Sequence, residues 1–475
     1  MTGSDTIAAV STAPGEGGVG IIRISGGEAE RILGRVFAAH GHGRQACESF
    51  ENRKMYYGHI IDPASAETVD EVLVVFMKGP RSYTGEDVCE IQCHGGIVPL
   101  RRILGIVCGM GASPAQPGEF TKRAFLNGRL DLVQAGAVID LIRSRTEKGY
   151  HAAKEQAEGR LSERVGAVRG LLLGALAEIA VRIDYPEAFE GSGKDGPAET
   201  LDIDSVLAEA GVMLDGLIKS AEAGRIVKDG VRVAIVGKPN TGKSSLFNAL
   251  AGEDAAIVTA TPGTTRDALE VWLDLCGVPV LLIDTAGIRE SRDEVEALGV
   301  GRAREQYQKA DAAIFILDGS IPLSSEDEAI ARLLDIEKKL VLVINKADLP
   351  QAFEDADAAG LLPFPCGAEN IIRTSFIGEG RVKSRESAEK LLERVALRDA
   401  FPGSSLLVTK ERHRGLLESA AAEITEARDC FRDGAASEFA EVNIRNAWNA
   451  LGEITGETAS DDVIDRVFEE FCVGK

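Results

Sequence analysis

The segment 237–245, which reads GKPNTGKSS, constrains the fold of this chain more than any other feature. It fits the pattern G-x-x-x-x-G-K-S, an apolar run typical of a β-strand precedes it, and a helical pattern follows it. In such a loop successive backbone N–H groups point at one anion, and the helix N-terminus adds positive potential. The alternative is a structural glycine loop. We predict a phosphate-binding loop, with Lys243 at the β- and γ-phosphates of a nucleotide and Ser244 on Mg²⁺.

Two later motifs indicate which nucleotide is bound. An apolar run ends in the sequence DTAG at 284–287, where Asp284 can hold Mg²⁺ through water and Gly287 N–H can meet the γ-phosphate. A second apolar run ends in NKAD at 345–348. A carboxylate at Asp348 can accept two hydrogen bonds from guanine, a pair that adenine does not offer. The three motifs in this order predict GTP rather than ATP.

The segment between the first two motifs has to supply a threonine hydroxyl as the second protein ligand of Mg²⁺. We favour Thr265 over Thr264 for this role. The residue after the DTAG motif is Ile288, at the place where Ras-type GTPases carry a glutamine that orients the attacking water. Isoleucine can neither donate nor accept a hydrogen bond, so either hydrolysis is very slow or another group replaces the glutamine.

The sequence contains two possible replacements. One is a carboxylate on the following helix, and the candidates are Glu290, Asp293, Glu294 and Glu296. The other is a monovalent cation in place of an arginine finger. Asn240 could provide one side-chain oxygen for this cation, and carbonyl groups of the 259–264 loop could provide the others.

The composition limits the classes of function. The 475 residues are enough for two to four domains. A formal net charge of −22 argues against nucleic-acid binding through a broad basic surface. If RNA is the substrate, a local patch or a basic partner must supply most of the phosphate contacts. The eight cysteines are scattered, and Cys89, Cys93 and His94 lack a second cysteine pair at zinc-site spacing. We find no signal peptide or membrane-spanning run, and we expect a cytoplasmic protein without membrane contact.

Hydrophobic periodicity divides the chain into four segments. Residues 1–120 alternate β-type runs with helical patterns, near 27–39 and 97–109, and predict an α+β domain. Residues 121–228 and 397–475 show helical spacing, while 229–396 alternate strands and helices as in a doubly wound α/β domain. We therefore predict a multidomain protein in which a Ras-like α/β domain is inserted into an α-helical bundle.

With these motifs, the chain resembles the bacterial tRNA-modification GTPase family MnmE (TrmE), and the resemblance covers its full length. The segments that carry it, besides the GTPase motifs, are GGVGIIRIS (17–25), SYTGED (82–87), HGG (94–96), PGEFTKRAFLN (117–127), GEITG (452–456) and FCVGK (471–475). The resemblance implies a folate-binding N-terminal domain that pairs two chains into a homodimer, a helical domain and an inserted G domain. It also implies K⁺-dependent GTP hydrolysis between facing G domains.

The resemblance extends to individual positions. It implies Glu296 as the residue that orients water, which selects one of the four acids, and Cys472 in the modification chemistry, with an inert buried thiol as the alternative. The implied Mg²⁺ ligands are Ser244 and Thr265, and the implied K⁺ ligands are Asn240, Thr259, Thr261 and Thr264. The implied folate residues are Arg23, Glu90, Arg129 and Lys475. The implied GTP-binding residues are Asn240, Thr241, Gly242, Lys243, Ser244, Ser245, Thr259, Thr264, Thr265, Asp284, Thr285, Ala286, Gly287, Asn345, Lys346, Ala347, Asp348, Ser375 and Phe376.

In this family the reaction modifies carbon 5 of the wobble uridine in tRNA, adding an aminomethyl or carboxymethylaminomethyl group. The implied partners are tRNA and the FAD-containing protein MnmG, in a heterotetramer. The implied cofactors are GTP, Mg²⁺, K⁺ and 5-formyl- or 5,10-methylene-tetrahydrofolate. Three positions depart from the family pattern. Phe376 replaces an alanine beside guanine, Arg129 replaces a lysine, and Val473 is a minor replacement of isoleucine. The competing hypothesis is a non-enzymatic GTP-controlled switch in ribosome assembly.

Overall fold

The computed structural model describes residues 5–13, 15–40, 49–185, 201–252, 269–284, 307–334, 339–376, 381–396, 406–433 and 437–475. The chain forms two compact units. The first comprises residues 1–139, 156–174 and 445–475, and the second comprises residues 140–155 and 175–444. Each unit is therefore assembled from segments that are distant in the sequence.

The described residues form strands and helices that we number in chain order. The strands are β1 (Ile7–Val10), β2 (Gly17–Ser25), β3 (Phe37–Ala39), β4 (Met55–Ile61), β5 (Thr68–Met77), β6 (Val88–Gly95), β7 (Ser113–Pro114), β8 (Val231–Val236), β9 (Leu269–Leu275), β10 (Val278–Asp284), β11 (Ala312–Asp318), β12 (Lys339–Asn345) and β13 (Ile371–Arg373). The helices are α1 (Ala29–Val36), α2 (Ile97–Gly109), α3 (Glu119–Leu126), α4 (Leu132–Arg143), α5 (Glu147–Ala157), α6 (Arg160–Asp184), α7 (Ile203–Asp229), α8 (Lys243–Leu250), α9 (Ser325–Ala331), α10 (Asp355–Gly360), α11 (Arg381–Ala396), α12 (Glu411–Arg432), α13 (Ser437–Thr455) and α14 (Asp461–Glu469).

The first unit contains a seven-stranded sheet in the order β3-β4-β5-β6-β2-β1-β7. Its strands pair antiparallel, apart from the parallel pair of β1 with β7. Side chains alternate between the two faces of each strand. One face, with Ile22, Val74 and Ile91, packs in a core with Leu33 of α1 and Ile103 of α2. The opposite face carries the partly exposed side chains of the same strands.

A second core of this unit joins its helical parts. Apolar residues of α4, of α14 and of the segment that follows α14 form one buried cluster, which contains Leu132, Ala135, Ile139, Ile464, Phe468 and Phe471. The C-terminal end of the chain therefore packs in the same unit as the N-terminal sheet.

The second unit contains a six-stranded sheet in the order β13-β12-β11-β8-β10-β9. All neighbours are parallel except the edge strand β9, which runs antiparallel to β10. Strands β10 and β11 are buried at every position, because helices cover both faces of such a sheet. The carboxyl ends of β8, β10 and β12 lie at one edge of the sheet, which is where ligands bind in doubly wound folds.

Helix α7 leads the chain directly into this sheet. Asp202 caps its first turn by accepting a hydrogen bond from Ser205 N, and Gly230 ends it with a φ of 81°. The buried face of α7, with Leu207, Ala210 and Leu214, repeats at helical spacing. Strand β8 begins one residue after Gly230, so the end of α7 fixes where the sheet starts.

The structure confirms the predicted classes: an α+β sheet domain, helices, and a doubly wound α/β sheet. One helix boundary was wrong. The pattern predicted a helix near 27–39, whereas α1 ends at Val36 and Phe37–Ala39 form strand β3. Phe37 and Ala38 are buried as strand residues that pair with β4, so tertiary pairing overrides the helical pattern there. The four predicted segment boundaries stay predictions.

Candidate functional site

The phosphate loop predicted from the sequence connects β8 to α8. Three of its residues adopt positive φ angles, 158° at Gly237, 64° at Asn240 and 102° at Gly242. A Cβ atom at Gly242 would overlap the side-chain nitrogen of Asn345, so glycine is required there by space as well as by conformation. The backbone curls between a buried strand and the first turn of α8, as a loop that presents N–H groups to an anion must do.

Lys243 is buried at the start of α8 and is 6% exposed. Its Nζ donates hydrogen bonds to the carbonyl oxygens of Gly237 and Lys238, both at 2.7 Å. Burial lowers the pKa of Lys243 from its ordinary value, and the nearby carboxylate of Asp284 opposes that shift. This arrangement holds a weakly solvated ammonium group beside the loop, where it can exchange carbonyl contacts for phosphate contacts.

Ser244 and Asp284 bring two oxygen ligands together at the end of β10. Ser244 Oγ donates to Asp284 Oδ2 at 3.4 Å, and Asp284 is only 1% exposed. A hydroxyl group and a carboxylate are the ligand types that Mg²⁺ prefers, and Mg²⁺ keeps several waters in addition. The two side chains therefore fit a Mg²⁺ ion held beside the phosphates.

The NKAD motif lies beside the phosphate loop. Asn345 Nδ2 donates to the carbonyl oxygen of Thr241 at 2.8 Å. Lys346 Nζ lies 2.5 Å from Asp318 Oδ2, and Ala347 N donates to Thr374 O at 3.0 Å. The following residue, Asp348, is exposed at the end of the motif, where its carboxylate is accessible to a base. The structure thus brings the first and third nucleotide motifs into direct contact.

Two buried polar atoms mark the same region. Oδ1 of Asn345 and Oγ1 of Thr374 have no hydrogen-bond partner within the described residues. Buried polar atoms are ordinarily hydrogen-bonded, and those left without a partner call for a ligand, a water or an ion. Both atoms belong to segments at the carboxyl ends of neighbouring strands, β12 and β13.

Phe376 is 4% exposed and belongs to a hydrophobic core cluster that also contains Ala388 and Leu392 of α11. The ring therefore contributes to packing between the sheet and α11. The neighbouring Ser375 is half-buried.

Several predicted site residues lie outside the described residues. They are Thr259, Thr261, Thr264, Thr265, Thr285, Ala286, Gly287 and Glu296, together with Ile288, Glu290, Asp293 and Glu294. The described part of the site therefore consists of the phosphate loop, Asp284, the NKAD motif and the residues 374–376.

The first unit holds a second group of predicted site residues. Arg23 of β2 faces Glu90 of β6 across the sheet, and its Nε and Nη2 lie 3.0 and 2.9 Å from Glu90 Oε1. The guanidinium carbon lies 5.2 Å from the ring centre of Tyr83 and 5.7 Å from that of Phe120. The ion pair is thus partly buried beside two aromatic rings, on the sheet face opposite α1 and α2.

Arg129 joins the same group. Its guanidinium carbon lies 5.0 Å from the Tyr83 ring centre, and Nη1 donates to the carbonyl oxygen of Tyr83. Tyr83 also contacts Thr121 through its hydroxyl group, at 2.8 Å. Tyr83 and Phe120 were not among the residues predicted for this site. Tyr83 belongs to the SYTGED segment and Phe120 to the PGEFTKRAFLN segment, so the family resemblance of these segments could have indicated both residues as part of the site.

The C-terminal tail completes the group. Phe120 N donates to the terminal oxygen of Lys475 at 3.2 Å, and Gly118 N donates to Cys472 O at 3.4 Å. Gly474 has a φ of 92°, and a Cβ atom there would overlap the carbonyl oxygen of Val10. All four predicted folate residues therefore lie in one unit, around Tyr83 and Phe120.

The thiol of Cys472 is exposed, so the alternative of a buried inert thiol is wrong. By contrast, Cys89 and Cys93 are buried, and burial raises the pKa of Cys93 to about 11. Among the described residues no group of three or more His, Cys, Asp and Glu side chains could hold a metal ion. The described helices also include none that is long and apolar enough to span a membrane.

Comparison with known proteins assigns the chain to a family. A model described as the N-terminus of the GTP-binding protein TrmE matches residues 6–129, and a model of the MnmE helical domain matches residues 132–472. The chain belongs to the MnmE (TrmE) family of tRNA modification GTPases. The sheet of the second unit is therefore the sheet of a Ras-like G domain.

Curated relatives agree over nearly the whole length. The MnmE tRNA modification GTPase of Alkaliphilus oremlandii is 44% identical over 99% of both chains. Those of Alkaliphilus metalliredigens and Geobacter sulfurreducens are 45% and 43% identical, again over 99% of both chains. The chain is accordingly a GTP hydrolase that acts in tRNA modification.

Proposed function

We propose that this GTPase requires K⁺ and, as a homodimer bound to the FAD-containing protein MnmG, modifies carbon 5 of the wobble uridine of tRNA. The added group is aminomethyl or carboxymethylaminomethyl, and a tetrahydrofolate supplies its one-carbon unit. The observation that carries this proposal is the group of Arg23, Glu90 and Arg129 around two aromatic rings, with the C-terminus fixed beside it. A GTPase that acted only as a switch would not need such a group. We expect the reaction to take place in the cytoplasm.

For the GTP site, the geometry of the described residues supports the roles that we propose. Lys243 moves from two carbonyl oxygens to the β- and γ-phosphates, and Ser244 with Asp284 holds Mg²⁺, to which Thr265 adds a hydroxyl group. Asp348 accepts hydrogen bonds from guanine at the exposed end of the NKAD motif. Bound Mg²⁺ neutralises charge on the phosphates, whereas the protein residues position the nucleotide.

The proposed cation dependence centres on Asn240. This residue is exposed on the phosphate loop and held at a φ of 64°, so its side-chain oxygen is accessible to a cation beside the phosphates. We propose that Thr259, Thr261 and Thr264 complete the K⁺ site and that Glu296 orients the attacking water. GTP turnover should be much faster in KCl than in NaCl at equal ionic strength. Equal rates in the two salts would exclude K⁺ from the mechanism.

For the folate site, Glu90 can accept hydrogen bonds from the amide and amino groups of a pterin, while Tyr83 and Phe120 offer ring faces for stacking. Arg129 and Lys475 can bind the carboxylates of the glutamyl tail. We expect 5-formyltetrahydrofolate to bind the full-length protein in calorimetry, and Glu90→Gln to weaken binding at least tenfold. This is the effect of losing about one charge-assisted hydrogen bond.

A matched control for that experiment is Glu67→Gln. Glu67 forms an ion pair with Arg102 at 2.9 Å on the surface of the same unit, with side chains 57% and 46% exposed. Loss of this pair is expected to leave the folate affinity unchanged, since exposed ion pairs contribute little. Wild-type folate affinity in Glu90→Gln would contradict the proposed site.

The proposed homodimer has a candidate surface on the open face of the N-terminal sheet. Met55, Tyr57 and Leu73 are 49%, 45% and 39% exposed, and Tyr57 lies directly opposite Leu73 in the β4–β5 register. Large apolar side chains side by side on an open sheet face favour burial against a second copy. Tyr57→Glu should shift the protein to a monomer in sedimentation analysis. The control Val98→Glu, at an exposed position of α2, should remain a dimer.

A further inference from the structure

The second residue of the phosphate loop, Lys238, forms an ion pair outside the loop. Its Nζ lies 2.7 Å from Asp327 Oδ2 and 3.2 Å from Ser324 Oγ, at the start of α9. The pair is almost completely withdrawn from solvent, because the side chains of Lys238 and Asp327 are 11% and 1% exposed. A buried carboxylate that loses its cation is strongly unfavourable, so Lys238 is constrained to remain where Asp327 is.

Asp327 is itself fixed by the first turn of α9. Its Oδ2 accepts hydrogen bonds from Ser324 N at 2.9 Å and from Ser324 Oγ at 2.7 Å. The first of these bonds, together with the bond from Asp327 N to the Ser324 side chain, forms a capping box. Oδ1 of the same carboxylate has no hydrogen-bond partner in the part of the chain that the structure describes. The first turn of α9 therefore fixes the orientation of the Asp327 carboxylate, and Lys238 of the phosphate loop balances its charge.

The main chain of Lys238 holds the rest of the phosphate loop. Its carbonyl oxygen accepts hydrogen bonds from Lys243 Nζ at 2.7 Å and from Thr241 Oγ1 at 2.9 Å. Lys238 therefore contacts α9 through its side chain and Lys243, the proposed phosphate-binding lysine, through its backbone. A displacement of the Lys238 side chain would be transmitted to the position of this carbonyl group.

The segment from the end of β11 to α9 also contacts the NKAD motif, which we propose binds guanine. Asp318, the last residue of β11, lies 2.5 Å from Lys346 Nζ. Burial acts to raise the pKa of Asp318, but hydrogen bonds from Lys346 and Ser320 outweigh burial and lower this pKa overall. Two carboxylates on one segment thus anchor one lysine from each of two nucleotide motifs.

We propose that Lys238 and Asp327 are a positioning pair that sets the geometry of the phosphate loop for GTP binding. The inference rests on the proposed contact of Lys243 with the phosphates. The charged groups of the pair meet at the start of α9 rather than in the loop. The pair acts by fixing the backbone of the loop, whose N–H groups and Lys243 bind the phosphates, so its loss weakens GTP binding rather than the chemical step.

The test separates positioning from stability. Lys238→Met leaves the Asp327 carboxylate buried without its cation, and this variant can fail to fold. The double variant Lys238→Met with Asp327→Asn removes both charges and is expected to melt near the wild-type temperature. We expect this double variant to bind a fluorescent GTP analogue about tenfold more weakly, with kcat within about twofold of wild type. If the pair contributed to stability alone, the double variant would recover the wild-type affinity for the GTP analogue together with the wild-type melting temperature.

Two further variants complete the design. Lys238→Arg retains a cation and is expected to retain the wild-type affinity for the GTP analogue. Arg332→Met removes an exposed cation that pairs with Glu328 near the same helix, and we expect it to change nothing. Wild-type affinity in the folded double variant would overturn the proposal, as would an equal loss of affinity in Lys238→Arg.

Lys243→Ala tests the proposed function separately. This variant should lose binding of the GTP analogue, whatever the Lys238 variants show. If Lys243→Ala binds the analogue like wild type, the phosphate role of Lys243 is wrong. If it loses binding while the double variant does not, only the positioning role of Lys238 and Asp327 is wrong.

Discussion

The side-chain amide of Asn345 donates a 2.8 Å hydrogen bond to the carbonyl oxygen of Thr241 and thereby ties the guanine motif to the phosphate loop. The amide nitrogen packs so closely against Gly242 that no Cβ atom fits between them. The two motifs are distant in sequence but adjacent at the carboxyl ends of β12 and β8. Each motif therefore depends on the other for its position.

This contact predicts the effect of Gly242→Ala. The added methyl group would overlap the Asn345 amide, and alanine at a φ of 102° is strained in addition. We expect GTP affinity to fall at least 100-fold, because both nucleotide motifs must shift. Fluorescence titration with a GTP analogue measures this. Gly211→Ala, in the middle of α7 with open space around it, is the control and should bind GTP like wild type.

Because His413 is buried, we expect the stability of the second unit to decrease at acidic pH. It is 1% exposed, and burial, followed by the charges of Arg412, Lys410 and Lys228, lowers its pKa well below 6.5. Asp140 is the carboxylate that pairs with both lysines, at 3.3 Å with Lys228 and 3.8 Å with Lys410. The folded protein thus keeps His413 neutral, whereas the unfolded chain takes up a proton below about pH 6.5. Stability should therefore rise with pH in this window and be lost as pH falls.

The measurement is urea unfolding at several pH values between 7 and 5. Trp272 fluorescence in a Trp448→Phe background reports the second unit, since the chain has only 2 tryptophans. The unfolding free energy should rise less steeply with pH in His413→Leu than in the protein with His413. The difference in slope should be up to about 1.4 kcal/mol per pH unit, the effect of one proton. Identical slopes in the two proteins would show that His413 is not the acid-sensitive group.

A substitution at Gly474 should disturb the C-terminal tail without affecting the GTP site. Alanine there would overlap the Val10 carbonyl oxygen at a φ of 92°, so the tail should leave its position beside Phe120. We expect Gly474→Ala to lose 5-formyltetrahydrofolate binding in calorimetry but to keep the wild-type rate of GTP hydrolysis. Val473→Ala, at a position that is 55% exposed, should keep both activities. Unchanged folate binding in Gly474→Ala would show that tail docking is not required.

The sequence predicted the nucleotide motifs because their chemistry depends on local spacing. The glycine at 242 and the lysine at 243 follow a strand and begin a helix, and both positions are found as predicted. The surroundings of these motifs depend on tertiary contacts and were not predictable. Lys238 looked like a loop residue, and its buried partner Asp327 lies 89 positions away in the sequence.

The proposed folate group shows the same limit. Family likeness implied Arg23, Glu90, Arg129 and Lys475, but no local pattern places Lys475 beside Phe120. That proximity arises because α14 and the tail pack in the same unit as the N-terminal sheet. Phe37 gives the opposite case, since a helical pattern was overridden by strand pairing with β4.

We propose that the GTP site and the proposed folate group of this chain serve one reaction on tRNA. The most direct test of this proposal is nucleoside analysis by mass spectrometry of tRNA from a strain that lacks this gene, complemented with defined variants. We expect wild type to restore aminomethyl or carboxymethylaminomethyl uridine, and we expect Lys243→Ala and Arg23→Ala each to fail to restore it. Full restoration of the modified uridine by either variant, or its presence in the uncomplemented strain, would contradict a shared role of the two sites in this reaction.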